Sequence, residues 1–191
     1  MKALAKRPST YADLKTLPED VTGELLNGEI IATPRPTNLH GRAASVLSAE
    51  LMGPFDRGRG GPGGWWFIIE PELHLEEDVL VPDLAAWRRE KLPQVPDEPF
   101  FRLAPDWACE VLSPRTARTD RMVKLPKYAK AGVGYVWLIE PTTRTLETFK
   151  LQGKEWLLVA SFVGDEKVRA EPFEAVELEL GALWLRKTET D

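Results

Sequence analysis

The sequence predicts a single mixed α/β domain, and three observations carry that prediction. Runs of strand composition (WWFIIEPELHL, VLVPDLAAW, DWACEVLS and GYVWLIE) alternate with segments whose apolar residues recur at helical spacing. Asn27-Gly28 separates two apolar runs, where the pair supplies the φ > 0 residues that a tight hairpin turn requires. At 191 residues, 43% hydrophobic and 29% charged, the chain suits one domain that buries roughly 70% of the surface its unfolded form would expose.

Taken in order, TYADLKTLPED reads as a short helix stopped by Pro18, and ELLNGEIIAT as a hairpin. In the segment that follows, Pro34 and Pro36 resist regular structure. Ala43, Val46, Leu47 and Leu51 then place a helix from about Leu39 to Leu51, ended by Gly53-Pro54. FDRGRGGPGGW is a mobile loop; it has no GKS or GKT and no helix pattern after it, so it does not read as a phosphate-binding loop. WWFIIEPELHL and VLVPDLAAW form a second hairpin about the acidic turn EED, and a proline-containing connector leads to the buried strand DWACEVLS. A helix is expected from Thr116 to Ala131, with Pro126 kinking or restarting it and Gly132 ending it. GYVWLIE is again a buried strand, and TLETFKL, EWLLVASF and AVELELGALWL make a β-rich tail.

Composition excludes several classes. No apolar run approaches the roughly 20 residues that span a bilayer, and the start MKALAKRPSTYADL has no apolar segment of a secretory signal, so a cytoplasmic protein without membrane contact is expected. The single Cys109 permits no internal disulfide and no cysteine zinc cluster, and in WACEVL it reads as core filling. A net charge of −5 argues against a protein that coats nucleic acid, while leaving room for an enzyme with its basic residues on one face.

The informative acids are those embedded in apolar strands. Asp83 interrupts VLVPDLAAW and Glu110 lies between Cys109 and Val111, neither with a basic neighbour in sequence. A half-buried carboxylate is costly without a cation, and Mg2+ or Mn2+ is one source of it. Glu70, in FIIEPEL, stands in a similar setting. The alternatives are an Asp83 that accepts from backbone amides and a Glu110 held in a buried ion pair. Arg115, Arg118, Arg121, Lys124, Lys127 and Lys130 follow at three-residue spacing, which drifts by about 60° per step on a helix. They cannot all face one partner, although Arg121, Lys124 and Lys127 could flank a site, and Asp120 neighbours Lys124 at i, i+4. His40 reads as a base, a phosphate contact or a helix-start residue, and His74 as exposed. Trp65-Trp66 suits core packing, an interface or base stacking.

YADLKTLPED with GELLNGEIIATPRP and His40, then VPDLAAW, APDWACEVLSP with Thr116, Asp120 with Lys124 and Tyr128, and AGVGYVWLIEP together resemble the PD-(D/E)XK nuclease superfamily. Within it they are most similar to the restriction-endonuclease-like branch known as domain of unknown function 820. The resemblance covers about residues 10 to 150. It implies a restriction-endonuclease-like core of this single domain (residues 1–191), a mixed sheet flanked by helices, with residues 151–191 as a β-rich extension. It further implies a Mg2+- or Mn2+-dependent endonuclease acting on nucleic acid, DNA first, and working as a homo-oligomer. Asp83 and Glu110 would be its metal ligands and Lys124 its catalytic lysine, with Glu70, Glu24, His40 and Asp120 as further candidates. Leu112 stands two residues beyond Glu110, where the superfamily has lysine; in this branch a lysine of the next helix takes over, and Lys124 holds that position. The competing expectation is a non-catalytic dimerising or nucleic-acid-associated module, and a third is hydrolysis of a non-nucleic phosphodiester.

Overall fold

A computed structural model describes residues 7–185 apart from 19, 34 and 35. Pro34 and the first six residues, the start of the segment read for a secretory signal, lie outside the described residues. Helix α1 (Tyr11–Leu14) is one turn long, opened by the Thr10 N–H donating to Asp13 at 2.8 Å. Strands β1 (Thr22–Leu26) and β2 (Glu29–Thr33) form the expected hairpin, with Asn27 and Gly28 at φ 54° and 75°.

Helix α2 (Asn38–Leu51) starts at Thr37, whose side chain accepts from the His40 N–H. Gly53-Pro54 does not end the winding. Regular α-helix stops at Leu51, and Met52–Asp56 continue as one π-helical turn in which the Arg57 N–H reaches the Met52 carbonyl. Pro54 lacks the donor that a tighter turn would use, so the wider turn is its physical consequence.

The second hairpin is divided between two sheets. Its outer part, β4 (Leu73–Leu75) and β5 (Asp78–Leu80), joins the first hairpin in a four-stranded sheet of order β2-β1-β5-β4. Its inner part, β3 (Trp65–Ile69) and β6 (Leu84–Arg88), enters the main sheet. The breaks fall at Glu70-Pro71 and Val81-Pro82, where proline removes a ladder donor from each arm.

The main sheet continues through β7 (Trp107–Val111), β8 (Tyr135–Glu140), β9 (Thr145–Gln152) and β10 (Glu155–Val163), in the order β10-β9-β8-β7-β6-β3. Only β7 and β8 run parallel. A parallel neighbour demands a crossover, and here it is helical: α3 (Ala117–Thr119), a second π-helical turn over Asp120–Lys124, then α4 (Leu125–Ala131), closed by Gly132 at φ 79°. The helix expected over 116–131 is thus relaxed just before Pro126. The tail adds β11 (Lys167–Val168), β12 (Leu178–Glu179) and a short 3-10 turn, Leu180–Ala182. The segment read as strand beyond 179 winds instead.

Strand alternation sorts the core onto the two faces of the main sheet. Trp107, Cys109 and Val111 of β7 pack with α2, Phe67, Trp137 and Phe173, whereas Ala108 and Leu112 pack with Leu125, Tyr128 and Leu138. Glu110 shares the parity of Ala108 and Leu112, so it points toward the crossover helix. No helix among the described residues is long and apolar enough to cross a membrane.

Candidate active site

The crossover, the hairpin and the strand ends enclose a cleft of about 340 Å³. Glu24, His40, Glu70, Asp83, Glu110, Asp120 and Lys124 all line it, so the structure brings every candidate residue to one place. The β6–β7 register pairs Leu84 with Cys109, and one step further sets Asp83 beside Glu110. Both alternative readings of these acids correspond to contacts that exist. Asp83 Oδ2 accepts the Val111 N–H at 2.7 Å, while its Oδ1 lies 2.6 Å from His40 Nε2. Glu110 Oε1 accepts the Tyr128 hydroxyl at 2.5 Å and lies 2.8 Å from Lys124 Nζ.

Lys124 is the hub of the buried group. Its ammonium is 2.9 Å from Glu24 and 3.8 Å from Asp120, and it donates to the Val81 carbonyl at 3.2 Å. Glu24 is fixed in turn by the Val81 N–H at 2.8 Å. Lys124 is 2% exposed, and Glu110, Asp120 and Glu24 are 3%, 5% and 7% exposed, so these charges share one low-dielectric space. The π-helical turn matters because it carries Asp120 at its start and Lys124 at its end, both turned inward. Leu112, where a superfamily lysine would stand, is 2% exposed within an apolar cluster, and the cation enters from the helix instead.

The balance of charge is negative. Burial pushes the Glu110 carboxyl well above the usual range; Lys124 opposes this, but Asp120, Asp83 and Glu24 add to it. Burial likewise raises Asp120 to about 6, again against the pull of Lys124. Burial disfavours the charge on Lys124, yet Glu110, Glu24 and Asp120 together hold it above its ordinary value, so it stays protonated. The His40 imidazole is also raised: burial works against it, and the Asp83, Asp120 and Glu70 carboxylates outweigh that cost. Tyr128 is held well above 10 by burial and by Glu110, which keeps its hydroxyl a donor.

Several expectations from sequence need correcting. Arg121 turns away to Glu147 at 2.6 Å, and Lys127 to Asp78 and Asn27, so Lys124 alone of the three serves the cleft. His74 is not exposed; its ring stacks on Phe100 at 4.2 Å and its Nε2 meets Glu72. Trp65 is buried against Phe173, and the half-buried Trp66 donates to the Leu92 carbonyl with Arg89 over its ring. Glu70 sits at the rim, exposed, its N–H donating to the Asp83 carbonyl at 3.0 Å. Sequence reasoning left Tyr128 without a role. Its signal was the i, i+4 spacing from Lys124, which puts both on one helix face. Cys109 is core filling, as expected.

Comparison with known proteins follows the same lines. A family model named Uma2, with the description "Putative restriction endonuclease", matches residues 8–182. No curated protein matches the chain significantly. Among solved structures, a chain from Anabaena variabilis ATCC 29413, described as a "putative nuclease belonging to DUF820", superposes with a TM-score of 0.73 at 24% identity. The match covers 92% of this chain and 97% of that one. At that identity the likeness establishes the fold, a mixed sheet flanked by helices.

Proposed function

The chain belongs to the Uma2 family of restriction-endonuclease-like proteins, and on that premise we propose that it is a divalent-metal-dependent nuclease cutting nucleic-acid phosphodiesters, DNA in the first instance. The observation that carries this reading is the convergence of Asp83, Glu110 and Lys124 in one cleft with an excess of acid. Asp83 and Glu110 are its metal ligands and Lys124 its catalytic lysine.

The donor set suits Mg2+ or Mn2+. Its groups are hard carboxylate oxygens, and Glu110, Glu24 and Asp120 stand 2.8, 2.9 and 3.8 Å from the one ammonium of Lys124, so acids outnumber the cation there. Among the described residues no three His, Cys, Asp or Glu side chains form a ready metal cage. Mg2+ requires none, since it commonly takes one or two carboxylates and keeps several waters. When bound, the ion would polarise a phosphoryl oxygen and lower the pKa of an attacking water.

The protein's own groups prepare that chemistry. The Val111 N–H and His40 aim Asp83, and Tyr128 aims Glu110. Because Lys124 stays protonated, it acts by charge rather than as a base, favouring ionised Glu110 and the negative charge that develops on phosphate. Homo-oligomerisation belongs to the same reading, supported by Leu157, Leu158 and Val163 exposed along the edge strand β10.

A second reading, a non-catalytic module that keeps the fold, is favoured by one observation: both oxygens of Asp83 and Oε1 of Glu110 already have protein partners. Cleavage of plasmid and single-stranded DNA with Mg2+ or Mn2+ separates the two. Wild type should cut, EDTA should stop it, and Asp83→Ala and Lys124→Ala should each lower the rate by about a hundredfold or more. Equal cutting by all three proteins refutes the mechanism; cutting by none supports the module.

A further inference from the structure

The proposed reaction places a polyanion in a cleft lined by five carboxylates, Glu24, Glu70, Asp83, Glu110 and Asp120. Even with a divalent ion held there and Lys124 protonated, acids outnumber the compensating charge when they are ionised, so a second source of positive charge is needed where the backbone enters. Lys124 does not supply it. Its ammonium donates to the Val81 carbonyl at 3.2 Å and is already ion-paired with Glu24 and Glu110, at 2.9 and 2.8 Å. At 2% exposure it is also buried together with the acids it pairs with.

One arginine lines the same cleft. We propose that Arg115 binds a backbone phosphate of the nucleic acid at the cleft mouth, an inference that rests on the nuclease reading above. Arg115 is exposed and, among the described residues, makes no ion pair and no side-chain hydrogen bond. Its neighbours in the basic row differ: Arg121 is paired with Glu147, Lys127 with Asp78 and Lys130 with Glu76. Arg118 is exposed but does not line the cleft.

The backbone beneath Arg115 is anchored. The Leu112 N–H donates to the Ile139 carbonyl at 2.6 Å, the Ser113 N–H reaches Thr116 Oγ1 at 3.2 Å, and the Thr116 and Ala117 N–H groups return to the Ser113 carbonyl at 3.1 and 2.9 Å. Pro114 fixes φ within that turn. The turn follows directly on β7, so it is tied to the strand that carries Glu110 and the amide that aims Asp83. A free guanidinium on a fixed base, one turn from the acids, can offer phosphate a planar pair of donors without first breaking an ion pair.

The test is equilibrium binding of a fluorescein-labelled DNA duplex, and of one of its single strands, by anisotropy over a range of salt, with Ca2+ replacing Mg2+ to keep the DNA intact. Steady-state cleavage with Mg2+ runs alongside, on wild type, Arg115→Ala, Arg115→Lys and Arg118→Ala, each first shown to melt as wild type does. Arg118→Ala removes the same charge outside the cleft. Arg115→Ala should bind about tenfold more weakly, with the slope of log affinity against log salt reduced by about 0.9 on duplex. It should raise KM with little change in kcat. Arg115→Lys should recover part of the loss, and Arg118→Ala should match wild type. If wild type binds or cuts while Arg115→Ala equals Arg118→Ala in affinity, slope and KM, this inference fails and the nuclease reading stands. If wild type neither binds nor cuts either DNA, both fail.

Discussion

Asp120→Asn should make the folded protein gain stability with rising pH relative to wild type. Asp120 is 5% exposed, and burial holds its carboxyl at about 6 against an ordinary 3.8. The folded state therefore keeps a proton that the unfolded chain gives up near pH 4, and wild-type stability falls as pH rises between those values. That gap corresponds to about 3 kcal/mol at about 1.4 kcal/mol per pH unit. Asparagine keeps the shape and cannot ionise, so the variant escapes this loss. At pH 4 the two proteins should be equally stable within about 0.5 kcal/mol, and by pH 8 the variant should lead by up to about 3 kcal/mol. Urea unfolding from pH 4 to 8, in EDTA, reads the difference as a shift in midpoint at constant slope, and titrating groups remote from the cleft cancel in the comparison. A difference that stays flat with pH, or that favours wild type at pH 8, would refute the claim that burial holds the Asp120 carboxyl above its ordinary value.

Lys124→Met should cost about 3–5 kcal/mol at pH 8, because it strands the buried carboxylates, and less at pH 5, where Asp120 keeps its proton; an equal loss at both pH values in urea unfolding would contradict the pairing. Tyr128→Phe removes a donor from buried Glu110 and should cost about 1–3 kcal/mol by calorimetry, whereas a change within about 0.5 kcal/mol would show the bond to be idle. Mg2+ should raise the melting temperature of wild type, by about 2.7 kcal/mol of stability at a hundredfold excess over Kd, and should not raise that of Asp83→Asn; equal shifts would place the ion elsewhere. Light scattering should return a mass that is a multiple of one chain, and a monomer at high concentration would end the oligomer reading.

Features set by neighbouring residues were legible in the sequence. Asn27-Gly28 announces its turn because the φ > 0 requirement is a property of those two residues. Asp83 and Glu110 were visible because a carboxylate in an apolar strand is costly wherever the strand ends up. Pro126 signalled a break in the crossover helix, but not that the break would be a π-helical turn. The same cause acts at Pro54, where sequence suggested a helix end and the chain instead winds on more widely. The single hairpin read over 65–88 parts into two sheets, since each arm's preference for strand was local while the choice of partner was not. His74 looked exposed from strand alternation because Phe100, which covers it, lies far along the chain.

By itself, then, the sequence determined a mixed α/β domain, the acids that could not be ordinary surface charges, and a basic row too long to face one partner. Only the tertiary structure decided which cation of that row meets the acids. Arg121, Lys124 and Lys127 carry similar charge, and residue type alone cannot separate them. The π-helical turn rotates Lys124 inward, while Glu147 of β9 and Asp78 of β5 draw off its neighbours. Those partners are remote in sequence, and packing alone sets their distances.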